Sequence, residues 1–252
     1  MMGRILTTFA AAGLTAGLAT ATLAADKEMD WGKFQNGEIR SGYTYAEKET
    51  RAMEDDDFQN PAFLWVERGE ELWSKVDGAA GKSCATCHND ASQTMAMVGA
   101  TYPVYDEKTK KMKALQHQVN SCRTEQMKAE PWKWESDQML SIATYINHQA
   151  KDKPMSVKID GPAAPFFEKG KEFYETRRGQ LDMACTHCHV DNAGKMIRAN
   201  RLSQGQGNGF PTYRLKWSKV GSLHRRFKGG NDNIPAAAFK RGLPVETPAV
   251  RN

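Results

Sequence analysis

Two Cys-x-x-Cys-His motifs, at residues 84–88 and 185–189, constrain this chain more than any other feature of its sequence. Two thiols three positions apart on one helical turn can bond to the two vinyl groups of a haem, and the adjoining histidine can bind its iron. A zinc site or a thioredoxin-like thiol pair would account for the cysteines but leaves both histidines unexplained. The motifs therefore predict two covalently bound c-type haems, attached through Cys84, Cys87, Cys185 and Cys188, with His88 and His189 as iron ligands.

The sequence around the two motifs is related by a single offset of 101 positions, which also carries Gly69 onto Gly170 and Trp73 onto Tyr174. Such a register indicates an internal duplication of a small cytochrome c unit, in which an amphipathic helix leads into the haem-attachment turn. We therefore predict a mainly α fold with two tandem cytochrome c-like haem domains and long irregular loops.

The domain boundaries follow from apolar periodicity and from prolines. A predicted amphipathic helix within residues 132–151 closes the first domain, 61–155, and a proline-rich connector leads into the second domain, 156–252. Residues 25–60 have little periodicity and are predicted to form an irregular surface arm. From Pro211 onward the chain has four prolines and no amphipathic run longer than about two turns, so the second domain is predicted to lack its closing helix.

The N-terminus is typical of a secretory signal peptide. Arg4 precedes an uncharged, Ala- and Thr-rich run that ends at small residues, which predicts removal of residues 1–24, or of one residue more, rather than a membrane anchor. The predicted compartment is the periplasm, and no membrane association is expected. The net charge is +5, but the sequence has no run of basic residues interleaved with aromatics, which argues against a nucleic acid as the binding partner. A mildly basic surface favours small anions or an acidic protein as partners.

The remaining cysteine, Cys122, is a candidate sixth ligand to the first haem iron. Its neighbour Arg123 could hold a thiolate at neutral pH, although an inert free thiol and an intermolecular disulfide are also compatible with the sequence. The competing ligands for the first haem are Met95, Met97, Met112, Met127 and His117. For the second haem the sequence leaves the ligand open among Met196, His224, Lys219 and Lys228.

Several longer stretches resemble the SoxA family, the haem subunits of the bacterial thiosulfate-oxidising system. Among them are Asn120-Ser-Cys-Arg-Thr-Glu and Asn192-Ala-Gly-Lys-Met-Ile-Arg-Ala. The further stretches lie at residues 57–62, 83–88, 158–165, 174–181 and 202–215. By this resemblance, Cys122 occupies the position of the family's cysteine ligand to the first haem.

The resemblance implies a function and a set of partners. Members of the family pair with a small cytochrome, SoxX, and join thiosulfate oxidatively to a cysteine of the carrier protein SoxYZ, passing the electrons to haem. The implied substrate-binding residue is Arg226, and Gly230 stands where the family has its reactive cysteine, which is both iron ligand and persulfide.

No catalytic residue is therefore identifiable, because glycine has no atom that binds iron or carries a sulfur. Residues 234–241 depart from the family as well. Three alternative explanations fit this departure. The chain is a paralogue that has lost catalysis, the ligand has moved to another position, or the coding sequence is altered in this region. The sequence predicts a subunit of a thiosulfate-oxidising sulfurtransferase, with a plain dihaem electron carrier or a non-catalytic docking subunit as alternatives.

Overall fold

The computed structural model describes residues 31–179 and 181–233. The predicted signal peptide, the first residues of the arm and the segment 234–252 lie outside the described residues. Within the described ranges no helix is long and apolar enough to cross a membrane.

The described chain consists mainly of helices joined by long loops, with a few two-stranded hairpins. The helices are α1 Lys48–Asp55, α2 Phe63–Ser74, α3 Cys84–His88, α4 Ala91–Thr94, α5 Val98–Thr101, α6 Leu115–Ser121, α7 Asp137–His148, α8 Ala164–Glu175, α9 Cys185–His189 and α10 Leu223–Asn233. The strands are β1 Gln35–Asn36, β2 Ile39–Arg40, β3 Val104–Asp106, β4 Lys111–Lys113, β5 Met196–Ile197, β6 Asn200–Arg201, β7 Thr212–Arg214 and β8 Lys219–Gly221. Each strand pairs antiparallel with its neighbour along the chain. A mainly α fold is confirmed.

The main hydrophobic core forms where α2 crosses α7. Helix α7 begins where the Ser136 side chain accepts a hydrogen bond from the Met139 backbone N–H at 3.3 Å, and residues 139–146 are all buried. Helix α2 contributes Trp73 and makes its closest approach at Gly69, where an added Cβ would lie 2.3 Å from the Ser141 carbonyl oxygen. The predicted helix within residues 132–151 is therefore present, and it closes the core of the first motif.

The second motif has a much smaller core in the described residues. Helix α8 precedes α9 as α2 precedes α3, but no helix of the described chain packs along α8 as α7 packs along α2. After Pro211 the structure has an eleven-residue helix, α10, in a stretch without a long amphipathic run. Its first turn is anchored on the first half of the chain, where Glu135 accepts a hydrogen bond from Ser222, a long-range contact that amphipathic periodicity does not reveal. Whether a closing helix follows lies outside the described residues.

The N-terminal arm is more ordered than its sequence predicts. It contains the β1–β2 hairpin and helix α1, which buries no side chain and therefore has no apolar stripe to reveal it. The arm contacts both halves of the chain. Arg40 N–H donates to Gln204 Oε1 at 2.7 Å, and Lys33 forms an ion pair of 2.6 Å with Asp152.

Candidate functional site

The first Cys-x-x-Cys-His motif forms helix α3, which is fixed at both ends. Ser83 Oγ accepts a hydrogen bond from Thr86 N–H at 3.2 Å, while Ser83 N–H donates to Thr86 Oγ1 at 2.9 Å. This reciprocal capping uses a residue that lies between the two cysteines of the motif. At the other end, Trp73 Nε1 donates to the carbonyl oxygen of Asn89 at 2.8 Å. These contacts fix the orientation of the helix that carries the two thiols and the imidazole of the motif.

A cavity of about 290 Å³ opens beside α3. Cys84, Cys87, His88 and Cys122 all line it. Apolar side chains from α2, α6 and α7 form much of its wall, namely Trp73, Leu115, Val119, Ile142 and Ile146. Two thiols, an imidazole and a further sulfur in an apolar cavity are the donor set that a c-type haem requires. The residues present therefore fit that cofactor.

The structure brings Cys122 to this cavity through an irregular helical turn. Helix α6 ends in a π-helical turn, Cys122–Met127, a geometry that often marks functional sites. Gln118 Nε2 donates to Cys122 Sγ at 3.2 Å. Burial, together with the nearby charge of Cys122, raises the pKa of the Cys84 thiol to about 11. The two sulfurs thus share one apolar environment.

The cavity narrows the set of competing ligands for the first haem. Met95 and Met127 line it together with Cys122, whereas Met97, Met112 and His117 are not among its lining residues. His117 instead lies edge-on to Trp134, with ring centroids 4.6 Å apart.

The sequence suggested that Arg123 holds the neighbouring Cys122 as a thiolate, but its side chain makes other contacts in the structure. Its guanidinium donates to Asp77 Oδ2 at 2.7 Å and to the Glu130 carbonyl oxygen at 3.0 Å, and it lies 3.7 Å from the centroid of the Trp132 ring. The side-chain donor to Cys122 Sγ is Gln118, one helical turn earlier, which the sequence analysis missed. The spacing of four residues within a helix is the signal that could have identified it.

The second motif forms α9, and its His189 ring is fixed by a hydrogen bond and by a close packing contact. His189 Nδ1 lies 2.8 Å from the Ser203 carbonyl oxygen, which orients the ring and leaves Nε2 for a metal. Gly205 lies against this ring with φ +82°, and an added Cβ there would be 3.0 Å from His189 Cγ. Burial raises the pKa of Cys185, while Arg178 lowers it. This set of residues also fits a haem attached through two thiols and one imidazole.

The open ligand candidates for the second haem are engaged elsewhere or exposed. His224 lies edge-on to Trp134 with ring centroids 4.7 Å apart, and Lys219 Nζ is 3.2 Å from Asp137 Oδ1. Met196 is 52% exposed on its hairpin, and Lys228 is exposed as well.

Helix α10 carries both Arg226 and Gly230, four residues apart and therefore on one face. Arg226 is half-buried, and burial lowers its pKa. A Cβ added at Gly230 would meet nothing within 4 Å among the residues that the structure describes. The helix is linked to the second motif through the loop after Ser203, because a Cβ at Gly207 would lie 2.8 Å from Leu223 Cδ2.

Known proteins resemble this chain in sequence and in fold. The family model described as the SoxA/TsdA cytochrome c domain matches residues 68–155. The L-cysteine S-thiosulfotransferase subunit SoxA of Pseudaminobacter salicylatoxidans is 45% identical over 229 residues, which cover 84% of this chain and 80% of that protein. The subunit of the same name from Paracoccus pantotrophus is 48% identical over 204 residues, covering 81% and 70%. A chain in the crystal structure of SoxXA from P. pantotrophus superimposes with a TM-score of 0.77 at 46% identity, covering 84% of this chain and 80% of that one.

Proposed function

This chain belongs to the SoxA family, and from that premise we propose that it is the haem subunit of a thiosulfate-oxidising SoxAX complex, an L-cysteine S-thiosulfotransferase. One observation carries the proposal, namely identity of 45% across 84% of the chain with a relative of that name. A plain electron carrier is not favoured, since the relatives compared above carry the name of a thiosulfotransferase subunit.

The proposal includes two covalent haems in tandem cytochrome c-like domains. The first would be held by Cys84, Cys87 and His88, which line one apolar cavity with Cys122 as the proposed sixth ligand. The second would be held by Cys185, Cys188 and His189. When bound, such haems supply one-electron redox chemistry, with a potential that depends on the axial ligands.

A small cytochrome is the proposed partner subunit, and the periplasm is the proposed compartment. Three apolar side chains that follow the second motif along the chain, Val190, Met196 and Ile197, are 61%, 52% and 49% exposed. The solved relative from P. pantotrophus belongs to a SoxXA crystal structure. Export through the predicted signal peptide agrees with two c-type attachment motifs.

The proposed reaction joins thiosulfate to a cysteine of a SoxYZ-type carrier. A new S–S bond forms between the carrier sulfur and the outer sulfur of thiosulfate, the thiol proton is released, and two electrons leave. The product is a cysteine S-thiosulfonate. The Arg226 guanidinium would hold the oxyanion end of thiosulfate through charge-assisted hydrogen bonds.

The residue at position 230 affects the expected rate of this reaction. A glycine supplies no sulfur to carry the substrate, so we expect Gly230→Cys to increase the rate. The described residues leave room for the substitution, because a Cβ at this position meets nothing within 4 Å among them.

The decisive experiment uses the purified haem-loaded chain with a SoxX-type cytochrome, thiosulfate, a carrier peptide with a C-terminal cysteine and an oxidised electron acceptor. Mass spectrometry of the peptide reports the thiosulfonate, and reduction of the acceptor reports two electrons per product. Gly229→Cys is the matched control, since a Cβ at position 229 also meets nothing within 4 Å among the described residues but lies on a different face of α10. The proposal fails if neither the original chain nor Gly230→Cys forms product while both retain two haems by mass.

A further inference from the structure

Gln118 lies one helical turn before Cys122, at the wall of the cavity beside α3. Both residues line that cavity. Gln118 Nε2 donates a hydrogen bond to Cys122 Sγ at 3.2 Å. The backbone joins the same two residues, because the Cys122 N–H donates to the carbonyl oxygens of Gln118 and Val119. Gln118 therefore holds Cys122 through its side chain as well as through its main chain.

The helical segment that carries this hydrogen bond is anchored to the rest of the first domain. Helix α6 is regular as far as Ser121, and residues four apart in such a helix share a face, so Gln118 and Cys122 lie side by side. Between them, Asn120 Oδ1 accepts from the Trp132 backbone N–H at 2.9 Å, and Asn120 Nδ2 donates to the Trp132 carbonyl oxygen at 3.0 Å. The amide and the sulfur are therefore placed by a segment that is itself fixed.

The surroundings of the Cys122 sulfur are largely apolar. Leu115 and Val119 of the same helix line the cavity and are 6% and 8% exposed. The neighbouring cation, Arg123, donates its hydrogen bond to Asp77 instead. The hydrogen bond that the structure shows at this sulfur comes from the Gln118 amide, and a hydrogen bond in apolar surroundings is electrostatically stronger than one in water.

An N–H donor at a ligating sulfur changes how much electron density that sulfur gives to a metal. Hydrogen bonds to the ligands of haem and iron–sulfur centres are among the features that set their reduction potentials. A donor withdraws electron density from the sulfur and so favours the reduced metal, whereas a thiolate without a donor favours the oxidised metal. The side-chain amide of glutamine supplies such a donor without adding a charge to the cavity.

We propose that Gln118 is a positioning residue for the first haem, which orients the Cys122 sulfur and raises the reduction potential of the iron that this sulfur would bind. The inference rests on the haem attachment and on the Cys122 ligand that are part of the proposed function. It is independent of the sulfurtransferase reaction, because the hydrogen bond lies at the first motif, whereas the proposed thiosulfate contact is Arg226 on α10.

Spectroelectrochemical titration of the haem-loaded chain measures this effect. Gln118→Met keeps an unbranched side chain of similar length but has no N–H donor. We expect it to lower the equilibrium constant for reduction of one haem about 10-fold, which is about 59 mV for a one-electron couple, and to leave the other haem unchanged. The electron paramagnetic resonance signal of the same haem should shift, and it should be the signal that Cys122→Ser alters.

Gln126→Met is the matched control for this titration. Gln126 lines the same cavity, but it is exposed, and the hydrogen bond to Cys122 Sγ in the described part of the chain comes from Gln118. The control removes an amide of the same kind without removing that hydrogen bond. It should change the equilibrium constant for reduction less than ~2-fold.

A second variant and two further measurements separate this effect from a structural role. Gln118→Leu removes the same donor with a different shape and should reproduce the shift in potential. Loss of covalent haem from both Gln118 variants, or a lower Tm with an unchanged potential, would indicate a structural role and overturn the proposal. An equal shift in Gln126→Met overturns it as well, and so does a haem signal that Cys122→Ser leaves unaltered. A potential that depends on Gln118 in a chain that forms no thiosulfonate would support the positioning role and refute only the sulfurtransferase reaction.

Discussion

Replacing Gly69 by alanine should separate the two helices that build the cavity of the first motif. The added Cβ would lie 2.3 Å from the Ser141 carbonyl oxygen and 2.4 Å from Tyr145 Cβ, about 1 Å short of ordinary contact at 3.4 Å. Both neighbours belong to the buried face of α7, so the clash cannot be relieved by rotating a flexible side chain. Overpacking of this kind costs ~3 kcal/mol. The better helix propensity of alanine returns ~1 kcal/mol, which leaves a net loss of ~2 kcal/mol.

The assay is thermal unfolding of the haem-loaded protein, followed by far-UV circular dichroism and by haem absorbance. For a chain of this size the loss corresponds to a fall in Tm of about 4–8 °C. The haem signal should change as well, because Trp73 at the end of α2 contacts the His88 ring with centroids 5.9 Å apart. Gly229→Ala is the control, since in the part of the chain that the structure describes nothing lies within 4 Å of its added Cβ, and a small gain in stability is expected. A Gly69→Ala protein as stable as the original chain would refute the close helix crossing.

Three further substitutions test the two haem-attachment sites. Arg123→Met should cost about 3 kcal/mol of folding free energy in urea titrations, because it breaks the contacts of a guanidinium that is 4% exposed. Its hydrogen bond to Asp77 lowers the pKa of that carboxyl, which stabilises the fold above the unfolded pKa of ~3.9 and less as pH falls. When the pH is lowered from about 5 to about 3, the free energy of unfolding should therefore fall less in the variant than in the original chain. An equally steep fall in both proteins would contradict this. Cys122→Ser should change the electron paramagnetic resonance signal of one haem with covalent haem mass unchanged, whereas Met127→Leu should not; identical spectra would exclude Cys122 as a ligand. Gly205→Ala forces a side chain to φ +82° and 3.0 Å from His189 Cγ, so the signal of the other haem should shift, and an unshifted signal would contradict the contact.

The local features of this protein can be predicted from sequence because their determinants lie within a few residues. The spacing of each Cys-x-x-Cys-His motif matches what covalent haem attachment requires, and both motifs form five-residue helices. The helix α7 is also predictable, since its apolar residues follow helical periodicity. The resemblance to the SoxA family adds Cys122 and Arg226 as site residues. These parts of the fold and of the candidate site need no knowledge of distant contacts.

What only the tertiary structure decided depends on contacts between distant parts of the chain. The Arg123 guanidinium pairs with Asp77, 46 positions away. This pairing differs from the role beside the Cys122 thiol that the sequence suggested. Helix α10 is anchored by Glu135, 87 positions from Ser222, and this contact holds the start of a segment that is polar overall. Pairings of this kind depend on the packing of whole elements, which periodicity and motif spacing do not encode.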